Sequence, residues 1–506
     1  IALLTVGFGT FAVHLRVNSS IETLLPQDDP ERIYYEDVKK TFGSDEAGVI
    51  AVFADDVFTP ETLRKIASLS EELGSIEGVR EVVSLATVKG VETDEWGAVR
   101  VGRLMQDPPA DTAAAEALRD KILANRFYSG NLVSEDATAT GIVVLFENLD
   151  DQQFIERDID GQIRAIVDGF RGPESFSMTG IQTLKVNAAR LMKEDLRTFL
   201  PISLVVVIVV LAWAFRTVRG VALPLTAVVV GVIWTTGLMV IAGKAINLGT
   251  LVLPPLLMAI GIAYAIHIVS RYYQEMHPGR ARLAVANATM EHVRLPLGVA
   301  ALSTLIGFAT LTYSEIPAIR DFGIYAVFGI AAIFVVSIAL IPALLVLLPE
   351  PRRGWAGGRR NDGIAMLLQR LALLAMHYRR SILLLGLVLT AVAIVGVTKI
   401  RVETDYLQFI DDDNPIRVEN AKIADRLGGT QPIYFVVEGD GEGAIGQLSL
   451  LAAIQDLQEF IAELPKVDGS LSIVDYLTIM REVLNPDARP GLPETQSEVN
   501  QLLLSF

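Results

Sequence analysis

Cysteine is absent from the 506 residues of this sequence. Disulfides, thiolate metal sites and cysteine nucleophiles are therefore excluded for this chain. Basic residues are also scarce, because 43 Lys and Arg stand against 59 Asp and Glu and give a net charge of −16. A nucleic-acid-binding protein needs a basic face, so this balance argues against nucleic acid as a partner.

Residue patterns typical of enzymes are missing as well. The sequence has only five histidines, and none of them are spaced as HxxxH, a spacing that zinc-binding helices use. We find no nucleophile triad, phosphate-binding glycine loop or pair of catalytic carboxylates. The sequence thus predicts a protein that is not an enzyme and that uses no cofactor or metal ion.

Apolar sequence, in contrast, is abundant. Hydrophobic residues make up 51% of the chain and the mean hydropathy is +0.43, which points to membrane spans. Most of seven apolar stretches approach the roughly 20 residues that a helix needs to cross the bilayer core. They cover residues 1–13, 199–215, 221–242, 248–270, 295–313, 322–348 and 381–398. Because the chain starts without Met inside the first stretch, we interpret it as a fragment of a longer protein.

The loops between these spans predict their orientation. Arginines concentrate in 216–220, 271–294 and 349–380, three loops that all fall on one side of the membrane. The positive-inside rule makes that side cytoplasmic. The two large acidic segments, 18–195 and 402–499, are then expected outside the cytoplasm.

The chain contains an internal repeat. Residues 16–43 align without a gap with residues 401–428, 385 positions later, and six of the aligned positions are identical. Each copy follows an apolar stretch. Duplication of a membrane-anchored unit is typical of transporters, in which two related halves move about a central site.

Both repeats place a short polar residue before a proline. The pairs are Asp29-Pro30 in the first repeat and Asn414-Pro415 in the second. A cation or substrate site at the membrane surface is one interpretation. The sequence favours the other, a helix start with Asp29 or Asn414 as N-cap and proline at the first helical position.

The acidic segments alternate strand-like and helix-like patterns. In the first segment strands are predicted at 48–53, 79–88, 138–146 and 175–179, and helices at 60–73, 112–125 and 150–170. This order suggests two α+β sandwiches of the split βαβ kind. In the second segment strands are predicted at 432–437 and 469–474, and a helix at 449–464.

Three local strings resemble the resistance-nodulation-division (RND) superfamily in its MMPL, or hydrophobe-exporter, branch. They are residues 261–272 in the fourth span, 303–307 in the fifth span and 314–323 at the junction that follows. Sterol-sensing and Patched-like proteins are relatives of this branch. The resemblance implies a polytopic α-helical membrane protein with extracytoplasmic α+β, ferredoxin-like porter domains, and twelve spans in the full protein.

This resemblance also implies a domain order. The expected domains are the end of the first span at 1–13, a first porter domain at 14–198, a sterol-sensing-domain-like bundle of spans two to six at 199–348, a cytoplasmic linker at 349–380, the seventh span at 381–398 and the start of a second porter domain at 399–506.

The fourth span departs from the family pattern at one position. Proton-driven members commonly carry Asp before the tyrosine, whereas this chain has Ala263. A mid-membrane carboxylate links protonation to conformation, and alanine cannot do so. His267 lies one turn further along the same helical face and could relay protons near neutral pH. The alternative is that His267 only bonds to a neighbouring helix or to cytoplasmic water.

Other candidate residues have weaker support. Tyr264 is expected to hydrogen-bond toward Ser303 or Thr304 on the fifth span, or simply to pack there. The charged residues at the fifth-to-sixth junction could gate entry from the outer leaflet, or could be a solvated loop. These junction residues are Glu315, Arg320 and Asp321.

Three functions remain open at this point. The first is an ion-gradient-driven secondary transporter that exports lipids or other hydrophobic molecules from the inner (plasma) membrane, with periplasmic accessory proteins as further partners. The second, which the missing Asp motivates, is a sterol- or lipid-sensing protein that binds without pumping. The third is the protein-translocation branch of the same superfamily.

Overall fold

The computed structural model describes most of the chain and divides it into two compact units. The described residues are 1–18, 20–26, 29–42, 46–93, 99–125, 127–149, 151–277, 279–348, 362–400, 411–428, 433–441, 443–464, 467, 469–485 and 491–504. The helical unit comprises Ile1–Asp29 and Ala189–Tyr406, and the sheet unit comprises Pro30–Ala188 and Leu407–Phe506. The sequence-based domain bounds differ from this division at 14–29, 189–198 and 399–406, and they stay a prediction.

Within the described residues the chain forms α-helices and six β-strands. The helices are α1 (Ala2–Ala12), α2 (Pro30–Phe42), α3 (Pro60–Gly74), α4 (Thr112–Leu123), α5 (Asp151–Glu156), α6 (Ile159–Gly169), α7 (Ile181–Phe215), α8 (Val218–Ile241), α9 (Leu253–Glu275), α10 (Arg282–Ala309), α11 (Pro317–Leu347), α12 (Asp362–His377), α13 (Arg379–Val397), α14 (Pro415–Ala424), α15 (Leu448–Ala462), α16 (Ile473–Leu484) and α17 (Gln496–Leu504). The strands are β1 (Ala47–Phe53), β2 (Val79–Val83), β3 (Lys89–Thr93), β4 (Val99–Arg103), β5 (Ala139–Phe146) and β6 (Ser175–Gly180).

Six described helices are long and apolar enough to cross a membrane. They are α7, α8, α9 with its preceding 3-10 turn, α10 with its following turn, α11 and α13. α1 is apolar but has only 11 residues. Each apolar stretch of the sequence therefore lies on a helix, as expected for a multi-pass membrane protein. α7 and α10 also extend well ahead of the apolar runs at 199–215 and 295–313.

Local sequence explains where several of these helices start. The side chain of Thr217 accepts a hydrogen bond from the Gly220 N–H and caps α8. α9 and α11 carry proline in their first turn, where the missing N–H costs nothing. Asn414 caps α14, because its Oδ1 accepts a hydrogen bond from the Ile416 N–H at 3.1 Å. The predicted N-cap is thus confirmed for Asn414.

The sheet unit is built around one antiparallel sheet. Its strand order is β2-β5-β1-β6, with β1 paired to both β5 and β6. This order is that of a split βαβ sandwich. Ile50 and Val52 of β1 belong to the main core, which also contains buried residues of α3 and α6. Because side chains alternate along a strand, Val49, Ala51 and Phe53 point to the opposite face.

The prediction of two sandwiches in the first segment is wrong for the described residues. The strands at 48–53, 79–88, 138–146 and 175–179 all enter the single four-stranded sheet. The 79–88 pattern ends early at Val83, and a separate hairpin of β3 and β4 follows. The helical pattern at 150–170 is interrupted, because Asp158 adopts a left-handed conformation with φ 50° between α5 and α6.

The second repeat forms helices but not the expected strands. The helix predicted at 449–464 is α15. Described residues 433–441 carry no strand, and α16 begins at Ile473 where a strand was predicted. A strand needs a neighbouring strand to pair its N–H and C=O groups. The described residues of 411–504 form no such neighbouring strand. These two strand predictions are therefore wrong for the described residues.

Candidate transport site in the helical unit

The core of the helical unit lies among α8, α9 and α11. A Cβ at Gly329 of α11 would lie 2.6 Å from Leu257 of α9, and lower down the Tyr272 hydroxyl donates to the Leu345 carbonyl at 3.4 Å. The later residue of α9 contacts the later residue of α11, so the two helices run parallel in a fixed register.

Glycine lets these helices approach closely at the middle of α9. A Cβ at Gly261 would lie 2.7 Å from Ile333 Cγ2 of α11 and 2.8 Å from Val228 Cγ2 of α8. Such distances leave no room for a side chain. Small residues at helix contacts are how membrane helices pack without a hydrophobic driving force between them.

Two buried hydroxyls lie one turn below this contact. Tyr264 of α9 is 5% exposed, and its ring packs edge-on against Phe334 with 5.9 Å between centroids. Ser337 of α11 is fully buried. The Tyr264 hydroxyl faces Thr304, yet neither it nor the Ser337 hydroxyl makes a hydrogen bond of acceptable geometry with a described residue. The α9–α11 register puts Ser337 near the level of Tyr264.

The other predicted residues of α9 lie on a different face. Ala263 and His267 are both exposed, unlike their neighbours Tyr264 and Ile268, which are buried. Among the described residues His267 has no hydrogen-bond partner. The structure therefore separates Tyr264 from His267, and the exposed face carries an imidazole but no carboxylate.

The fifth-span hydroxyls are occupied by their own helix. Ser303 Oγ and Thr304 Oγ1 both donate to the Ala300 carbonyl, at 2.9 Å and 2.8 Å. Ser303 is exposed and Thr304 is half-buried. Of the two partners proposed for Tyr264, Thr304 is the one that its hydroxyl faces.

The predicted junction residues do not act as one loop. Arg320 and Asp321 lie in the first turns of α11, and only Glu315 precedes that helix, where it is exposed. Asp321 is buried and pairs with Lys244, whose Nζ lies 3.0 Å from Oδ2. Lys244 was not predicted from the sequence, although it is the single lysine in the short loop between the third and fourth spans. The pair joins the end of the α8–α9 connection to α11.

A second polar cluster was also missed, and it lies in the sheet unit. Lys185 Nζ donates to Glu46 Oε1 at 2.7 Å and to Asp151 Oδ1 at 2.8 Å. Gln182 also donates to Glu46. Burial disfavours the charged form of Lys185, but the charges of Glu46 and Asp151 outweigh it and raise the pKa of Lys185. Lys185 is thus buried together with its counter-charges.

The described residues contain no cluster of three or more His, Cys, Asp or Glu side chains that could hold a metal ion. The site in the helical unit is accordingly made of hydroxyls, one imidazole and apolar surface. Such a site can bind water or a neutral apolar molecule.

Comparisons with known proteins give the chain its relatives. It is 25% identical over 363 residues to a putative membrane protein of Methanocaldococcus jannaschii, which covers 69% of this chain and 89% of that protein. It is 27% identical over 243 residues to a putative membrane protein of Streptomyces coelicolor, covering 46% of this chain and 28% of that one. It is 24% identical over 320 residues to the hopanoid transporter HpnN of Rhodopseudomonas palustris, covering 59% of this chain.

The chain spans 34% of the length of the hopanoid transporter, so it corresponds to about a third of that relative. The model of the MMPL family matches residues 54–370. That range is more than half of the chain and runs from the sheet unit through the helical bundle. This chain therefore belongs to the MMPL family, as the strings in its fourth and fifth spans predict.

Proposed function

We propose that this chain belongs to an RND-type secondary transporter that exports lipids or other hydrophobic molecules from the inner membrane. The family match over residues 54–370 carries the proposal, since it includes residues 54–188 of the sheet unit and five of the membrane helices. A relative that aligns over 59% of the chain is named a hopanoid transporter. The sheet unit would serve as an extracytoplasmic porter domain and form part of the conduit.

The coupling step would rest on α9. Ala263 removes the carboxylate that proton-driven relatives use, which leaves His267 as the titratable group at mid-helix. The exposed face of α9 also carries Ala259, and the half-buried Ser270 lies next to it. Such small residues favour contact with another helix over contact with lipid. We propose that this face meets the spans of the second half, where His267 would gain its proton-transfer partner.

Reconstituted full-length protein tests the proposal. Liposomes carrying a fluorescent lipid and a proton gradient should lose the lipid from the inner leaflet faster than protein-free liposomes. His267→Ala should abolish the gradient dependence, whereas His292→Ala, which removes an exposed histidine at the cytoplasmic end of α10, should leave it unchanged. Lipid movement that persists in the His267→Ala protein would remove this residue from the mechanism.

A lipid-binding protein without pumping is the alternative, and Ala263 is the observation that favours it. It predicts that the same protein retains fluorescent lipid in detergent but moves none under any ion gradient. Restoring the carboxylate with Ala263→Asp would then not create gradient-dependent movement, whereas in a transporter it should change the pH profile.

The proposed orientation has its own test. Because the chain has no cysteine, single cysteines can be placed at Glu72, at Glu459 and at Leu283 and labelled with an impermeant maleimide in intact cells. We expect labelling at the first two positions and none at Leu283. Labelling of Glu72 and Glu459 from opposite sides of the membrane would contradict the arrangement.

A further inference from the structure

The segment that follows α1 is fastened to the turn between α8 and α9. The backbone N–H of Asn18 donates to the Ile246 carbonyl at 2.7 Å, and the Ile246 N–H donates to the Arg16 carbonyl at 2.8 Å. These two bonds form a short parallel β-bridge between Val17 and Ile246. Val17 packs against the core of the helical unit, and Ile246 is buried in that core. The bridge is therefore held by apolar burial as well as by hydrogen bonds.

A 3-10 turn continues this segment along α11. The Asn18 side chain accepts a hydrogen bond from the Ser20 N–H at 2.8 Å, and the 3-10 turn follows at Ile21–Leu24. This turn lies against α11. Residues 16–18 and 20–24, which we call the strap, thus contact both the α8–α9 turn and α11.

The α8–α9 turn is stiffened by two buried side chains just before α9. Asn247 is 4% exposed and Thr250 only 1%. The Asn247 N–H donates to the Thr250 hydroxyl at 2.9 Å, and the Thr250 N–H donates to Asn247 Oδ1 at the same distance. Buried hydrogen bonds are stronger than exposed ones, because their surroundings have a low dielectric constant. The turn therefore joins Ile246 firmly to the start of α9.

An ion pair attaches α11 to the same turn. Lys244, two positions before Ile246, places its Nζ 3.0 Å from Asp321 Oδ2 of α11. The helices α9 and α11 also pack against each other in one register. A shift of either helix along its axis therefore moves Ile246, and the β-bridge moves the strap with it.

We propose that the strap carries displacements of α9 and α11 toward the sheet unit. The chain passes from the helical unit to the sheet unit at Asp29–Pro30, shortly after the strap ends. The inference rests on the proposed function, in which α9 holds the coupling residue His267 and the sheet unit forms part of the conduit. The strap links these two parts through a backbone pairing that stays closed during the transport cycle.

Hydrogen exchange in the full-length protein tests the linkage without requiring transport. Thr250→Val removes the hydroxyl that holds Asn247 and should speed amide exchange in the strap about fivefold or more, the change in an opening equilibrium that one lost hydrogen bond produces. Thr250→Ser keeps the hydroxyl and should restore slow exchange. Thr236→Val is the matched control, because the Thr236 hydroxyl bonds within α8 to the Val232 and Ile233 carbonyls.

Exchange in the sheet unit separates this effect from general unfolding. The amides of β1 should exchange equally slowly in the native and Thr250→Val proteins. Where β1 also exchanges faster, Lys244→Met replaces Thr250→Val, since it detaches α11 from the turn without uncovering a buried backbone N–H. Strap exchange as slow in these variants as in the Thr236→Val protein would overturn the linkage.

A disulfide across the β-bridge tests whether the bridge stays closed during transport. Neighbouring strands lie about 4.8 Å apart, within the Cα separation that a disulfide accepts. Val17→Cys with Ile246→Cys should therefore crosslink on mild oxidation, and the native chain has no cysteine to compete. The oxidised protein should export lipid at the rate of its reduced form, because the strap moves together with the turn. The Val17→Cys single variant controls for the substitution.

Two crosslinking results would contradict the strap. A crosslinked protein that stops exporting lipid, while its reduced form exports, would mean that the bridge has to open. A failure to crosslink in a protein that reaches the membrane at normal abundance would mean that the bridge does not form. If the native protein itself moves no lipid, the proposed function fails, and hydrogen exchange still decides the linkage.

Discussion

One polar cluster in the sheet unit and one in the helical unit are buried in opposite ways. In the sheet unit Lys185 is buried together with the carboxylates of Glu46 and Asp151, which lie at hydrogen-bond distance. In the helical unit two buried hydroxyls at mid-helix, those of Tyr264 and Ser337, have no such partner among the described residues. Paired buried charges fix the geometry of the side chains that form them. A buried hydroxyl without a hydrogen bond can still bind a partner. The contrast indicates a fixed sheet unit and a bundle that is ready to take in water or ligand.

Removing the buried lysine should have the largest effect. Lys185→Met leaves Glu46 and Asp151 buried without their main counter-charge and should destabilise the sheet unit by about 3–5 kcal/mol. Lys40→Met, which removes a solvent-exposed pair with Asp37, should change stability little. Thermal unfolding of both variants measures the difference, and similar Tm values would break the comparison.

Filling the helix contact should come next. Gly261→Val puts a side chain where Ile333 and Val228 already lie and should cost about 1–3 kcal/mol through overpacking. Gly298→Val is the matched control, since a Cβ at Gly298 of α10 meets nothing within 4 Å. Unfolding in detergent should separate the two variants, and equal stability would mean that the core packs less tightly than the distances indicate.

Deleting the unsatisfied hydroxyls should have a smaller effect of opposite sign. Ser337→Ala and Tyr264→Phe each remove a buried group without a partner and should leave stability unchanged or raise it by up to about 1 kcal/mol. Thr235→Val, which breaks a hydrogen bond from Thr235 Oγ1 to the Gly231 carbonyl, should instead destabilise. A loss of stability in Ser337→Ala would show that a partner such as water is already bound there.

The smallest effect should appear at the rim of the sheet unit and should depend on pH. Hydrogen bonds from Ser134 and Thr138, with the charge of Arg426, lower the pKa of Asp136 from 3.8 to about 2. Because its folded pKa is depressed, its stabilisation is present above about pH 4 and is lost as the pH falls toward 2. The Tm difference between the native protein and Asp136→Asn should therefore shrink from pH 5 to pH 3.

Lys185 supplies the opposite pH dependence. Its pKa is raised above 10.5, so its stabilisation is complete below that pH and is lost only as the pH rises through the folded value. Between pH 7 and pH 9 the penalty of Lys185→Met should therefore stay constant, because Lys185 keeps its charge across that range. A penalty that falls within this range would contradict the raised pKa of Lys185.

Apolar length was enough to predict the membrane helices. The runs at 221–242 and 322–348 lie on α8 and α11, since a bilayer requires continuous helix over that length. The strand predictions in the first repeat also lie on strands, because alternation of apolar residues is a local signal. The same signal was wrong for the described residues 433–437, because a strand requires neighbours that local sequence does not specify.

The site depends on contacts between distant residues, and these could not be predicted. The local sequence does not show that Ala263 is exposed and Tyr264 is buried, although the two residues are adjacent. Ser337 is a single hydroxyl in an apolar run, and this pattern could have indicated a polar site within the span. Lys244 and Asp321 are 77 positions apart, and only the packing of α11 brings them together. The roles of His267, Ser303 and Thr304 in transport stay predictions.

Proline inside α11 has a mechanical consequence for the level of Ser337. Pro342 has no N–H, so the carbonyl of Ile338, one residue after Ser337, lacks its donor in the helical ladder. A small bend of the axis at that turn would break no further backbone bond. α11 is therefore most easily flexed next to the hydroxyl that still lacks a partner.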